Sequence, residues 1–170
     1  VALASPAWAD ATAPCNVGTG TESTECGVDS TADQAGGVAV GDGATASGPS
    51  AVNPIFASVA VGYNALAHDN AVAIGNTATA RFGGTVNPLA TGINSAVAVG
   101  AGAVAVGSNT IAIGTTSRAG TGFTVNTPGS PVNAGSNITV IGGRAEANQN
   151  NATAIGANAN VEATGGTALG

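Results

Sequence analysis

Between Ser95 and Gly114 the chain repeats one short pattern three times: a branched residue, alanine, a second branched residue, glycine. The closing glycines Gly100, Gly107 and Gly114 stand seven apart, and the same unit closes at Gly41, Gly62, Gly75, Gly142, Gly156 and Gly170. Successive intervals are 21, 13, 25, 7, 7, 28, 14 and 14 residues, mostly multiples of seven. Counting back from each glycine, positions −3 and −1 are both Val or Ile in six units, with Ala between them. These six are Val38/Val40, Val59/Val61, Val72/Ile74, Val97/Val99, Val104/Val106 and Ile111/Ile113. Position −4 is Gly, Ser, Ala or Thr in eight of the nine units, and Asn stands at −5 as Asn70, Asn109, Asn137 and Asn151. Period-two alternation of this kind predicts a strand with a bulky face and a small face. Val and Ile suit the pleat, Gly lets the backbone turn, and Asn tolerates the left-handed region at a corner.

Each unit is therefore a very short strand followed by a corner. Units of seven or fourteen residues cannot bury a face alone, whereas stacked as rungs of a β-solenoid they share one continuous core. The expectation is that the branched residues fill that core. The Ala face, Ala98 and Ala112 included, would then lie outside and let a neighbouring backbone approach closely. Residues 95–114 also have the length and apolarity of a membrane helix. Glycines at 100, 102, 107 and 114, with strict alternation of branched residues, argue against that reading.

Composition sharpens the picture. Only 7% of the 170 residues are charged, against about 25% in an ordinary globular protein. Three Arg, no Lys and nine acids give a net charge of −6, which disfavours nucleic acid or an anionic membrane as partner. Mean hydropathy is +0.29 with patterned branched residues, unlike the polar, highly charged composition of disordered chains. Aromatics make up 3% and there is no Met. A thin rod with so plain a core is expected to gain burial by self-association.

The flanks differ from the repeat. Ala7-Trp8-Ala9 resembles the small-x-small end of a secretory signal, so residues 1–9 read as a signal remnant or lead-in. Residues 10–36 read as an acidic N-terminal cap over the open end of the solenoid, since six of the nine acids lie between Asp10 and Asp42. That segment holds both cysteines, Cys15 and Cys26, read as a disulfide of an exported protein, within or between chains. Closing a loop of that size within a chain stabilises by about 3 kcal/mol in the chain-entropy view. The repeat proper is assigned to residues 37–170, with Gly/Pro/Thr/Asn-rich insertions at about 76–94 and 115–136. These hold Phe82 and Phe123, which either tuck onto the roll and close its side, as buried aromatics commonly do, or are candidate loop contacts if the insertions form a binding face. From 137 onward position −3 becomes Thr139, Thr153 and Thr167, which suggests a thinner core or a shifted pattern. Asn137-Ile-Thr139 and Asn151-Ala-Thr153 match the glycosylation sequon, which an Asn at each corner produces by coincidence.

Catalytic chemistry finds no footing. The single His68 has no Ser or Cys nucleophile at an interpretable spacing, and with Asp69 it reads as a polar turn. No acid pair, phosphate-binding loop or Gly-Gly-x-Gly-x-Asp calcium repeat occurs. The expectation is a protein that is not an enzyme and carries no cofactor and no metal.

Asn109-Thr-Ile-Ala-Ile-Gly114, Asn70-Ala-Val-Ala-Ile-Gly75 and Asn151-Ala-Thr-Ala-Ile-Gly156 resemble the Asn-Ser-Val-Ala-Ile-Gly motif of YadA-like heads. Those heads belong to trimeric autotransporter adhesins of Gram-negative bacteria. The resemblance covers roughly residues 37–170 and implies an all-β fold: a left-handed parallel β-roll of about fourteen residues per turn, assembled as a side-by-side homotrimer. It implies display at the bacterial cell surface, with the outer-membrane anchor outside this chain and no direct membrane insertion by the head. It further implies adhesion to host matrix proteins such as collagen, to cells or to other bacteria. The head-motif residues that would form the core and take part in matrix binding are Asn70, Val72, Ala73, Ile74 and Gly75, then Val97, Ala98, Val99 and Gly100. They continue through Val104, Ala105, Val106, Gly107, Asn109, Ile111, Ala112, Ile113 and Gly114 to Asn151, Ala154, Ile155 and Gly156. Two alternatives stand beside adhesion: a stiff spacer projecting another domain, which would have no need of insertion loops, and an ice-binding solenoid, which would want Thr ranked on one flat face.

Overall fold

The computed structural model describes residues 15–18, 20, 22–48, 57–68, 70–81, 95–120 and 136–170. Strands of two to six residues form a ten-stranded and an eight-stranded sheet, and the described residues contain no helix. From Thr24–Cys26 onward successive strands alternate between the two sheets. The motif sheet collects the units that end in glycine, so Val97, Ala98 and Val99 pair in parallel with Ile111, Ala112 and Ile113 of the next turn. The strand between them, Val104–Val106, lies in the opposing sheet, against Thr79–Arg81 on one side and Arg118–Ala119 on the other. The architecture is a parallel β-roll, and one full turn runs from Gly100 to Gly114. The seven-residue spacing in the sequence is thus a half-turn: the unit closing at Gly107 carries the repeat signature but belongs to the opposite sheet.

The interior corrects the expectation of which face is buried. Ala39, Ala60, Ala73, Ala98, Ala112 and Ala154 are all 0% exposed. The branched neighbours face outward: Ile74 and Ile155 are 40% exposed, Ile113 38% and Ile111 36%. The small residues at −4 and −2 look inward together with Ala103 and Ala105, or their equivalents, from the opposing strand. Both sheets are joined by a three-residue corner, such as Gly100-Ala101-Gly102, closed by a bond from the Ala103 N–H to the Gly100 carbonyl (3.1 Å). Sheets held so near each other leave room for methyl groups, and an interior packed at crystal density excludes anything longer. Ser and Thr enter where their hydroxyl finds an acceptor: Ser117 Oγ donates to the Gly114 carbonyl (2.9 Å), Thr110 Oγ1 to that of Gly107 (3.2 Å) and Ser58 Oγ to Gln34 Oε1 (2.9 Å).

Two further expectations change. The core after residue 137 is not thinner: Thr139 and Thr153 stand outward on the motif face, while Ile138 and Val140, both 0% exposed, are the largest fully buried side chains among the described residues. The roll also begins before residue 37, because Thr24–Cys26 already pairs in parallel with Val38–Val40, and Thr31–Ala32 with Thr45–Ala46. The regular path continues through Thr79–Arg81 and Arg118–Ala119, inside the expected insertions. Residues 82–94 and 121–135, with Phe82 and Phe123, lie outside the described residues, as do residues 1–14.

The corner glycines stack into a column. Each has φ between +122° and +139°, and its amide donates to the residue preceding the column glycine one turn back, as Gly114 does to Val99 (2.9 Å). A Cβ built on Gly100 would stand 2.6 Å from the Gly114 carbonyl oxygen. Even alanine is therefore barred, by strain and by the next rung. Gly100→Ala and Ala112→Glu are expected to destroy the roll, the first by this clash and the second by burying an unpaired carboxylate. Loss of the β signal in far-ultraviolet circular dichroism checks both. A folded Ala112→Glu protein would mean that this face is not the interior.

Candidate functional site

The roll presents two broad faces of different chemistry. On the motif sheet, positions −3 and −1 form two parallel outward files. Val72, Val97 and Val99 are half-buried, whereas Ile74, Ile111, Ile113, Ile141 and Ile155 are more exposed. Nine parallel rungs at the usual strand spacing make this stripe roughly 40 Å long. Residues of the opposing sheet's outward file are mixed or polar: Thr45, Leu66, Thr79, Val104, Arg118, Glu146 and Asn160. Arg118 and Glu146 stand side by side on neighbouring parallel strands. Ser47 and His68 are neighbours of the same kind, with Oγ and Nε2 2.6 Å apart, so this histidine ties two rungs together.

The named motif residues separate by position. Ala73, Ala98, Ala105, Ala112 and Ala154 line the interior; Gly75, Gly100, Gly114 and Gly156 form the corner column; Val104, Ala105, Val106 and Gly107 sit on the opposing side. The asparagines at −5 adopt the left-handed conformation expected of them, with φ 62° at Asn70, 53° at Asn109 and 57° at Asn137 and Asn151. They also form an exposed ladder that the sequence does not announce. Asn109 Nδ2 donates to Asn137 Oδ1 (3.4 Å) and Asn137 Nδ2 to Asn151 Oδ1 (3.1 Å), and Asn70 Nδ2 reaches Ser95 Oγ (3.4 Å). Stacked amides of this type repeat at the rung spacing and add side-chain bonds parallel to the backbone ladder.

Cys15 and Cys26 are disulfide-bonded within the chain. Cys26 occupies the −1 place of the first parallel motif strand, where later rungs carry Val or Ile. Through the bond it holds a short antiparallel strand, Asn16–Val17, against Thr24 and Glu25. That strand closes the edge of the motif sheet. The edge of the opposing sheet closes differently: Glu25 sits at the inward −2 position, and its Oε1 accepts the Ala32 N–H at 2.6 Å, while the Gly20 N–H donates to the Ala32 carbonyl (3.1 Å). One side chain thus stands in for a missing strand. Periodicity could not single out Glu25, but a charge at a position held by Ala in every later unit except that of Val140 was a signal.

Among the described residues no group of three or more His, Cys, Asp or Glu side chains could hold a metal ion, and no helix is long and apolar enough to cross a membrane.

Comparison with protein families matches the YadA head domain repeat (two copies) to residues 69–84, 90–117, 139–159 and 147–170. These segments include the motif strands that end at Gly75, Gly100, Gly114, Gly156 and Gly170. No curated protein matches the chain.

Glu25→Ala is expected to leave the Ala32 N–H without its acceptor, at a cost of about 1–3 kcal/mol. Hydrogen exchange at Ala32 should accelerate while rungs beyond Gly62 keep their protection. Glu25→Gln retains an acceptor oxygen and should restore most of it. Equal exchange in all three proteins would show that the carboxylate does not close this edge.

Proposed function

The chain carries a YadA-like head domain, and on that premise we propose that it is the adhesive head of a surface-displayed trimeric autotransporter. YadA heads are an adhesin family rather than an enzyme family, which supports an attachment function in general. The finer reading is ours: three rolls side by side, exposed on the bacterial surface, attaching to host matrix proteins of the collagen type, to cells or to other bacteria.

The observation that carries the assembly is the outward stripe of branched residues. A monomer leaves Ile74, Ile111, Ile113, Ile141 and Ile155 between 36% and 40% exposed, in continuous files. Contiguous apolar surface of that length marks an interaction face. A second copy of the same sheet is a suitable cover, because its side chains repeat at the same rung spacing and can interdigitate. Packing the motif faces together leaves the polar opposing sheet and the corners outside to meet a ligand. The spacer reading keeps the same assembly and removes the ligand. Thr139, Thr153 and Thr167 do align in register on adjacent rungs, but Ile141, Ile155 and Leu169 flank them on the same face, which suits packing better than a flat ice-binding plane.

Light scattering of the wild-type chain should give a mass near three times 15.8 kDa. Ile113→Glu, or the double change Ile74→Asp with Ile113→Glu, should release folded protomers with an unchanged circular dichroism spectrum. This behaviour would contrast with the loss of fold expected for Ala112→Glu. A wild-type monomer, or a charged stripe that still assembles, removes the motif face as the interface. Attachment of the trimer to collagen-coated surfaces separates an adhesin from a spacer.

A further inference from the structure

At the corner that follows each column glycine, the second residue takes the left-handed conformation in every rung described: Asp29, Gly43, Asn64, Thr77, Gly102, Thr116, Arg144 and Asn158. Gly, Asn and Asp suit that backbone; Thr and Arg do not. Thr116 (φ 56°) and Arg144 (φ 58°) follow one another on adjacent rungs. They are joined through the corner ladder, where the Arg144 N–H donates to the Thr115 carbonyl (3.0 Å) and the Asn158 N–H to that of Gly143 (3.0 Å). Beside them the first corner residue is Gly143, between Thr115 and Ala157. No positive φ requires glycine there, and a Cβ would meet only the Thr115 carbonyl oxygen, at 4.0 Å. The fold therefore does not need Gly143, which lies in a shallow, open notch of about 260 Å³ lined also by Thr115, Thr116, Arg144, Ala157 and Asn158.

Two departures from the local rule thus meet in one place, an arginine in a conformation it disfavours and a glycine that no backbone constraint explains, beside Thr116, whose left-handed backbone Thr77 shares on another rung. A disfavoured arginine held beside a glycine that the fold does not need points to a function for that spot. The chemistry presented is one guanidinium with an asparagine amide and two threonine hydroxyls at its sides, of which that of Thr116 donates to the Thr115 carbonyl (2.7 Å) and keeps its acceptor side. Among the described residues Arg144 has no acidic partner within ion-pair distance, in a chain of net charge −6 that holds three cations in all. A guanidinium fork matches a carboxylate through two parallel hydrogen bonds, and hydroxyl and amide groups match the hydroxyls of a sugar ring. We propose that this corner notch binds a carboxylate-bearing sugar, such as the terminal acidic residue of a host glycan. The proposal deepens the adhesin reading and rests on it, by giving the head a ligand class and a place to hold it. Each protomer carries one such notch, so a trimer presents three weak sites whose avidity exceeds that of one.

The test measures saturation-transfer NMR and titration affinities of the intact chain for 3′-sialyllactose, a glucuronic acid disaccharide and neutral lactose. The two acidic sugars distinguish the sources of the carboxylate, and lactose reports the neutral background. Arg144→Asn places at this corner the residue already present at Asn64 and Asn158, so the fold is kept. Gly143→Val fills the notch without backbone strain, and Arg81→Gln removes an exposed cation elsewhere. The expected result is binding of at least one acidic sugar and not of lactose. Arg144→Asn should weaken it about tenfold or more, Gly143→Val should abolish it, and Arg81→Gln should leave it unchanged. The proposal is overturned if neither acidic sugar binds at millimolar concentration, if Arg144→Asn binds as the wild type does, or if Arg81→Gln costs as much. Attachment to collagen-coated surfaces is scored on the same samples. Retained attachment with no sugar binding discards the notch and keeps the adhesin, whereas loss of both discards both.

Discussion

Everything in this roll follows from how little space separates its two sheets. At the corners a glycine rests on the carbonyl of the next glycine, so closely that one methyl would collide. In the interior, side chains scarcely larger than a methyl meet from both sides. A three-residue corner cannot set two sheets at the usual distance of about 10 Å. The sequence has met this by keeping most inward positions small; among the described residues Ile138 and Val140 on one rung and Val161 in the opposing sheet relax it.

A core of alanine methyls gives modest hydrophobic stabilisation, on the order of 0.8 kcal/mol for each buried methyl-sized group. The rungs are held above all by backbone ladders that run through the strands and on through the column-glycine corners. Bulky apolar side chains are then left for the outside. In most domains the large aliphatics stabilise the chain that carries them; here they stand ready to stabilise an assembly. The division of labour between Ala inside and Val or Ile outside separates folding of one protomer from association of several.

The periodicity, the short strands, the corner glycines and the left-handed asparagines were legible because each is a local rule with a local cause. Which face lay inside was not. Alternation shows that Val97 and Val99 share a side and Ala98 takes the other, but it carries no sign, and the habit of placing large residues inside chose wrongly. A cue was nevertheless present. Thr139, Thr153 and Thr167 replace branched aliphatics at −3, which an outward file accepts and a tight core does not, while charge is kept from the alanine positions until Glu25 at the very edge. The half-turn identity of Gly107 was equally hidden, because Val104-Ala-Val-Gly107 is written in the same letters as the motif it faces. The notch at Arg144 was invisible for another reason: it joins residues 14 and 28 positions apart that only the winding of the roll brings together.

The two corners of each turn are not equivalent. After a column glycine the chain always spends the same three residues before entering the opposing sheet, because those residues carry the ladder. All variation in turn length falls at the other corner: 13 residues separate Gly62 from Gly75, 14 separate Gly100 from Gly114, and 28 separate Gly114 from Gly142. Deletions and additions therefore emerge along a single long border of the rod, and the remaining surfaces keep their spacing whatever is spliced in. Such a molecule behaves as a ruler with one open margin. New sequence can be tried in that margin, or a foreign peptide displayed from it, without recalibrating the scale.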